Sequence, residues 1–374
     1  MKVAIDVRTI NKPRSGVGHY VTNLIREFQK IDKENSYCLI SNNGEFEAEF
    51  ASRPNFENYR TWISNENHLV GDLWESFYLP GLLQRKGVSV FHGPAFMIPL
   101  RFSGFRTVVT IHDIVAFIKP ETVPLKYALY MRFLIGLVVR KADRVITPSE
   151  STKQDLIDRL KVPEEKIEVV YEAVSDEFKP WSGPGRAEQV KRKFGIRDRY
   201  MLFVGNLEPR KNLVRLMRAF ERARDRLGGA YQLVISGKKG WLYKDILTTY
   251  EQVNRGDVIL TSYVSDKDLV DLYRSADMFV FPTLYEGFGL PVLEAMGCGA
   301  PVITSSVSSI PEIAGDAAVL VDPLDIGQIS EAMVEVAFSE ALRANLREKG
   351  LRQAAGFTWT KTAERTLEIY RSVI

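Results

Sequence analysis

Cysteine is scarce: the 374 residues hold two, Cys38 and Cys298. They lie far apart, with no histidine or second cysteine at metal-ligand spacing. A disulfide framework and a zinc site are therefore disfavoured, and two buried free thiols in a reducing compartment are expected. Excess charge is missing too. Fifty Lys and Arg stand against 47 Asp and Glu, for a formal net charge of +3, spread evenly over the two halves, whereas a nucleic-acid binder carries a lopsided basic face. Long apolar runs are absent. The longest, Phe133 to Val139, falls far short of the roughly 20 residues that span a bilayer. The N-terminus enters a strand-like stretch, Val3 to Val7, with no cleavable leader pattern. No low-complexity tract, heptad array or internal repeat is visible.

What remains is an ordinary globular composition, 45% hydrophobic and 26% charged, in a chain longer than one core usually supports, so two domains are expected. Short apolar runs alternate with helical patterns throughout. Strands are predicted near Val3–Val7, Tyr37–Ile40, Val88–His92, Val108–Ile111, Arg144–Thr147 and Ile167–Val170, with a helix from about Leu73 to Gln84 between them. This βαβ rhythm implies a parallel sheet covered on both faces, with ligands beyond the strand C-termini. Residues 172–184, rich in charge, Pro and Gly, read as a domain boundary. The second half repeats the rhythm at Tyr200–Val204, Gln232–Ser236, Val258–Leu260, Met278–Phe281 and Val302–Thr304. Helices follow from Ile326, and the last one covers Phe357 to Ile374.

Several loops carry chemistry. Arg14-Ser15-Gly16-Val17-Gly18 leads from the first strand into an amphipathic helix with Val21, Leu24, Ile25 and Phe28 on one face. It has the phosphate-binding geometry of doubly wound sheets, but Val21 stands where a dinucleotide fingerprint needs its third glycine. A structural turn and a ligand loop are both open. His92 and His112 sit at predicted strand ends, and His92 reads equally well as a histidine bonded into its loop. Residues 124–141 form a helix that suits either the core or a membrane surface. Ser149 is a natural N-cap for the helix through Leu160. In the second half, Gly205-Asn206-Leu207-Glu208-Pro209-Arg210-Lys211-Asn212 places two adjacent cations before a helix. There they oppose the helix dipole by a few tenths to about 1 kcal/mol, so a bound anion is the better explanation. Lys238 and Lys239, at the Gly-rich end of the next strand, could reach the same phosphates or the base, or be solvated loop lysines.

The stretch that organises the rest is Glu286-Gly287-Phe288-Gly289-Leu290-Pro291-Val292-Leu293-Glu294. It follows a buried strand, and Pro291 marks a helix start near Leu290. The backbone N–H groups of Gly289 and Leu290 then suit an anion such as phosphate. Glu294 is expected in the first helical turn, where it can accept hydrogen bonds from a ribose diol. Glu286 lies ahead of the turn and can face a second polyol.

Glu286 and Glu294, seven residues apart around Gly-Phe-Gly-Leu-Pro, resemble the E-x7-E signature of the family-four retaining glycosyltransferases (glycosyltransferase group 1). The Arg210-Lys211-Asn212 string and Thr110-Ile111-His112-Asp113 resemble two further elements of that family. Asn206 departs from its pattern, since many relatives carry an arginine there. The resemblance covers nearly the whole chain and implies the GT-B fold, two Rossmann-like doubly wound domains facing across a cleft. It implies an acceptor-side domain at 1–178, with the helix 358–374 packing back on it, and a donor-binding domain at 179–357.

The resemblance also implies the site. Arg210, Lys211, Gly289, Leu290, Gly16 and Gly18 would bind the donor diphosphate, Glu294 the ribose, and Tyr263 and Val264 the base side. His112 and Glu286 would lie against the donor sugar, and Asp113 would orient His112 or an acceptor hydroxyl. The implied reaction is metal-free and cofactor-free transfer of a hexose from a nucleotide diphosphosugar to a saccharide or lipid-linked acceptor, with retention. The Phe91-His92-Gly93-Pro94 and Thr110 to Asp113 strings are most similar to bacterial polysaccharide mannosyltransferases using GDP-mannose. The implied setting is the cytoplasm, at the inner face of the membrane if residues 124–141 touch it, with no nucleic acid as partner. The alternatives are a UDP-glucose-type transferase and a GT-B sugar-nucleotide epimerase. A binding-only module is disfavoured because the carboxylates and the Arg-Lys pair are kept, and an NAD oxidoreductase by the incomplete glycine fingerprint.

Overall fold

A computed structural model describes the chain apart from residues 11–15, 43–49, 51–52, 64–67, 102–103, 182–185 and 255. Arg14, Ser15 and the end of the expected 172–184 linker lie outside the described residues. The described chain forms two compact units. The first domain comprises Met1–Ile114, Leu129–Glu172 and Thr358–Ile374; the second comprises Val115–Ala128 and Ala173–Phe357. The boundary falls at Glu172 rather than at 178 because Val174 and Phe178 pack on the second core, where the Phe178 ring meets Tyr273 at 5.9 Å.

In the first domain the strands are β1 (Lys2–Asp6), β2 (Ser36–Ser41), β3 (Phe56–Arg60), β4 (Val90–Gly93), β5 (Arg106–Thr110), β6 (Arg144–Thr147) and β7 (Ile167–Val169). They form a seven-stranded sheet in the order β3-β2-β1-β4-β5-β6-β7, with every pairing parallel. The core joins Val3, Ile5, Leu39, Val90 and Val108 of the sheet to Val21, Leu24, Ile25 and Phe28 of the helix Gly16–Ile31 and to Leu367, Ile369 and Tyr370 of the helix Trp359–Ser372. This last helix starts on Thr358, whose side chain accepts from the Lys361 N–H.

The second domain holds β8 (Arg199–Val204), β9 (Tyr231–Ser236), β10 (Val258–Ser262), β11 (Met278–Phe281), β12 (Val302–Ser305) and β13 (Ala318–Val321). Its sheet runs β10-β9-β8-β11-β12-β13 and is likewise all parallel. Continuous apolar stretches such as Met278–Phe281, buried along their whole length, are what a sheet covered on both faces requires.

The order of each sheet reverses direction once. β1 lies between β2 and β4, and β8 lies between β9 and β11. Loops leaving neighbouring strands at such a switch diverge to opposite faces and open a crevice at the strand C-termini, where doubly wound domains hold ligands.

Three local expectations change. The helix expected over Leu73 to Gln84 is two helices, His68–Phe77 and Leu79–Arg85. Pro80 in the first turn of the second cannot donate a backbone bond and cannot sit inside a longer helix. Gly16 and Gly18 belong to the first turn of the helix Gly16–Ile31 rather than to the loop before it. Glu294 is the fifth residue of the helix Leu290–Gly297, hence in the second turn, and no acid occupies the first.

Candidate functional site

In the second domain, the loops leaving β8 and β11 meet. Pro209–Lys211 forms one 3-10 turn after β8. The Arg210 guanidinium donates from Nη1 to Glu286 Oε2 at 2.7 Å and to the Tyr285 carbonyl at 2.8 Å, and from Nη2 to Glu208 Oε1 at 3.0 Å. Lys211 Nζ donates to Glu286 Oε1 at 2.8 Å, and Thr283 Oγ1 donates to the same oxygen at 2.7 Å. Asn212 closes the loop from below, donating to the carbonyls of Pro282 and Pro323 at 2.8 and 2.7 Å. It does so from a left-handed backbone, φ 61°, which asparagine tolerates better than most residues. The two cations and the first acid of E-x7-E are thus one ion-paired cluster, with Glu286 and Lys211 each 7% exposed.

Burial pushes the Glu286 carboxyl up, but Arg210 and Lys211 outweigh it and bring it down to about 2. The group is ionised throughout the physiological range. Burial likewise draws the Lys211 ammonium below its ordinary value, with Glu286 opposing. The ion pair is what keeps that proton in place.

The turn itself is pinned by serines. Glu286 N–H donates to Ser308 Oγ at 3.0 Å, and Ser309 Oγ donates to the carbonyls of Glu286 and Phe288 at 3.0 and 2.8 Å. Gly289 caps the helix Leu290–Gly297 at φ 114°, ψ 40°. A Cβ there would lie 2.8 Å from Ile310 Cδ1, so both backbone and space call for glycine. Val292 N–H is taken by the Gly289 carbonyl at 2.9 Å, and Pro291 has none. That leaves the N–H groups of Gly289 and Leu290 as the donors of this helix start to which a ligand role can be assigned. One turn on, Glu294 Oε2 accepts from Tyr273 Oη at 2.9 Å. The residue is only partly covered as a whole, yet burial pushes its carboxyl up to about 7, the Tyr273 bond pulling the other way.

Tyr263 and Val264 follow β10 at the sheet edge, Tyr263 being 56% exposed and Val264 buried. Lys238 and Lys239 are exposed, Lys239 resting over the Tyr243 ring at 5.3 Å. The sequence contains one Asp-x-Asp string, Asp266-Lys267-Asp268, a spacing suited to a divalent cation. Here it opens a helix: Asp268 N–H donates to Ser265 Oγ at 3.3 Å, and its carboxylate takes Lys193 Nζ and Ser265 Oγ, each at 2.6 Å. Among the described residues no group of three or more His, Cys, Asp or Glu could hold a metal ion.

In the first domain the histidines separate. His92 in β4 is fully buried, with Nδ1 2.6 Å from Tyr370 Oη and Nε2 2.8 Å from Thr110 Oγ1. Burial, helped by His112, drives it down to about 3, so it is a neutral core histidine. His112, just after β5, donates from Nδ1 to Glu172 Oε1 at 2.9 Å and from Nε2 to the Pro94 carbonyl at 2.8 Å. Burial works against its charge, but the hydrogen bond and charge of Glu172 prevail and raise it. The carboxylate on the ring is therefore Glu172, not Asp113, which adds only a smaller through-space attraction. The Tyr20 and Phe96 rings stand edge-on to His112 at 4.9 and 5.7 Å. Gly16 is exposed with no atom within 4 Å of a Cβ built on it, and Gly18 is buried.

Sequence reasoning missed Glu172, Tyr273, Glu208 and Thr283. Glu172 opens what read as a linker; Glu208 lies in the Gly205–Asn212 loop, where the two cations drew the reading, and Tyr273 and Thr283 carried no motif. No spacing rule singles them out.

A family model described as "Glycosyl transferases group 1" matches residues 186–353, and one described as "Glycosyltransferase Family 4" matches residues 14–178. The O-antigen chain mannosyltransferase B of Escherichia coli is 30% identical over 385 aligned positions, covering 99% of this chain and 100% of that protein. The serotype-specific mannosyltransferase WbdA of Escherichia coli is 31% identical over 278 positions, 72% of this chain but 34% of its own length. Among solved structures, WaaG, a glycosyltransferase involved in lipopolysaccharide biosynthesis, superposes with a TM-score of 0.75 at 17% identity, covering 98% of this chain and 99% of its own, a likeness of fold. With two Rossmann-like domains of the GT-B class and a relative matched from end to end, the chain belongs to the family-four, group 1 glycosyltransferases.

Proposed function

We propose that the chain transfers mannose from GDP-mannose to a hydroxyl of a saccharide or lipid-linked saccharide, with retention of anomeric configuration, in the synthesis of a cell-envelope polysaccharide. The observation that carries this reading is the end-to-end match to an O-antigen mannosyltransferase. In the proposed reaction the bond from the anomeric carbon to the donor phosphate breaks and one to the acceptor oxygen forms on the same face. The acceptor proton passes to the departing phosphate oxygen, so no protein nucleophile or metal is needed. The departing GDP must be stabilised as charge develops, a role that suits Arg210, Lys211 and the N–H groups of Gly289 and Leu290. Glu286 holds the cations in place and accepts from sugar hydroxyls, with His112 on the sugar from the first domain. Glu294 takes the ribose diol, and Tyr263 and Val264 flank the base.

The reading extends to the inner surface of the cytoplasmic membrane. On the helix Leu125–Lys141, Leu125, Leu129 and Phe133 are 73%, 57% and 68% exposed at a spacing of four, next to exposed Lys126 and Arg132. Apolar side chains with flanking cations favour an anionic lipid surface. No helix among the described residues is long and apolar enough to cross a membrane.

A thermal-shift panel of GDP-mannose, UDP-glucose and ADP- and dTDP-sugars tests the donor. A ligand at about 100 times its dissociation constant stabilises by about 2.7 kcal/mol. A shift with UDP-glucose and none with GDP-mannose overturns the donor assignment. Conversion of the donor without any acceptor points to an epimerase instead, and an inverted anomeric centre in the product, read by NMR, removes the retaining mechanism. Undiminished activity of Lys211→Ala, against an expected loss on the order of 10²-fold, removes the phosphate role. Sedimentation with anionic vesicles that survives Leu129→Glu and Phe133→Glu excludes that helix as the contact.

A further inference from the structure

His112 is held from both sides by oxygen acceptors, the Pro94 carbonyl and the carboxylate of Glu172 in its ionised form. Glu172 Oε1 lies 2.9 Å from Nδ1 and the Pro94 carbonyl 2.8 Å from Nε2. A neutral imidazole carries one N–H, so it can satisfy one of these contacts, and satisfying both takes two protons. Glu172 is 5% exposed and is the residue at which the chain leaves the first domain. The ring is fixed in plane by Tyr20 and Phe96. Phe96 adopts φ 67°, an unusual backbone for an aromatic residue, and its N–H is tied to the Thr110 carbonyl at 3.1 Å. Strain of this kind persists where surrounding structure imposes it. The charged groups acting on the ring are Glu172, with Asp113 more weakly; neutral His92 and the un-ionised Tyr20 complete its polar surroundings.

We propose that Glu172 is a positioning residue for sugar transfer: it keeps His112 doubly protonated and aims Nε2–H at the Pro94 carbonyl, from which a donor-sugar hydroxyl can take the hydrogen bond over. The idea rests on the proposed placement of His112 against the donor sugar. The exchange is one hydrogen bond for another, so it needs no net proton transfer. The presence of a fixed imidazolium beside the sugar also means that the site loses a positive charge when His112 titrates.

The test uses the full chain with Glu172→Gln, Glu172→Asp and His112→Ala. The ring nitrogens of His112 are followed by NMR across pH, alongside turnover of GDP-mannose and calorimetric binding of GDP alone. Glu172→Gln is expected to lower the His112 midpoint by about one pH unit or more. It should move the alkaline limb of the rate profile down with it and reduce kcat on the order of 10²-fold, leaving the Kd for GDP unchanged. Glu172→Asp, which keeps the charge, should restore the midpoint in part. An unmoved midpoint in Glu172→Gln overturns the proposal. A lowered midpoint with full turnover also overturns it when His112→Ala is inactive, because the positioning role is then absent. If His112→Ala is itself fully active, the placement of His112 on the sugar fails instead.

Discussion

Neutralising Glu286 separates its two jobs. In Glu286→Gln the amide keeps the shape of the side chain but leaves Arg210 and Lys211, formerly at 2.7 and 2.8 Å, with Glu208 alone as counter-charge. Breaking a buried pair by removing one partner costs about 3–5 kcal/mol. The lower end applies here, because burial already draws Lys211 toward losing its proton, which relieves part of the strain. A loss of about 3 kcal/mol corresponds to a fall in Tm of roughly 6–12 °C for a domain of this size. Nucleotide should reverse the order. A diphosphate seated on the same cations sits roughly 6 Å from the wild-type carboxylate, and at an effective dielectric of about 20 that repulsion is about 3 kcal/mol before screening. Removing it should tighten GDP binding by up to about 10²-fold while sugar turnover collapses. Calorimetry with GDP and melting curves with and without it measure both effects. If GDP binds Glu286→Gln more weakly, or stabilises it less than the wild type, the cations are not the phosphate site and the cluster is structural.

The Glu294 carboxyl is pushed up to about 7 from an ordinary 4.5 by burial. Its folded value exceeds its unfolded one, so the ligand-free protein loses stability from this group as pH climbs from 4.5 to 7, and Glu294→Gln should flatten that slope in melting curves. A ribose diol favours the carboxylate, so GDP affinity should rise with pH up to about 7, by at most tenfold per unit, with protons released to buffer; pH-independent binding refutes the ribose role. Gly289→Ala should cost about 1–3 kcal/mol from its backbone alone, and Ile310→Val, which clears the 2.8 Å contact, should not restore the melting temperature. Gly16→Ala meets nothing within 4 Å and should leave stability unchanged or slightly raised. An increase in donor KM would place the donor beside it, and an unchanged KM would remove Gly16 from the site.

Interior strands of both sheets were legible because burial on both faces imposes continuous apolar runs: Met278–Phe281 and Arg144–Thr147 are found with the expected ends. The edges were not. Phe56-Glu57-Asn58-Tyr59-Arg60 is the outermost strand of its sheet, half polar and with two charges, as exposed edges tend to be, and it carries no strand signal. Ala318–Val321, the other missed edge strand, is short and only partly buried. Ser149 was readable as a cap because capping is local, and its Oγ accepts from Thr152 N–H at 3.0 Å. The partners of the site were not local. Nothing in the sequence ties Glu172 to His112, 60 positions apart, or Glu286 to Lys211, 75 apart. Such pairs are fixed by strand order, which spacing along the chain does not encode.

The first domain borrows its last piece from the far end of the chain, and this sets a timetable for synthesis. Tyr370, which holds His92 Nδ1, Thr362, which donates to the Tyr171 carbonyl at 2.7 Å, and Trp359, whose ring lies 6.1 Å from that of Tyr20, are translated only after residues 173–357 have emerged. At about 5–20 residues per second the delay is roughly 10–40 s. Through that interval the helix Gly16–Ile31 lacks the cover that Leu367, Ile369 and Tyr370 give its core, while nearly all of the second domain is already available to fold. A ribosome that stops before Thr358 therefore releases a chain in which the Arg210–Lys211–Glu286 cluster can assemble while His92 lacks its Tyr370 partner: a half-finished protein and a natural client for chaperones and proteases.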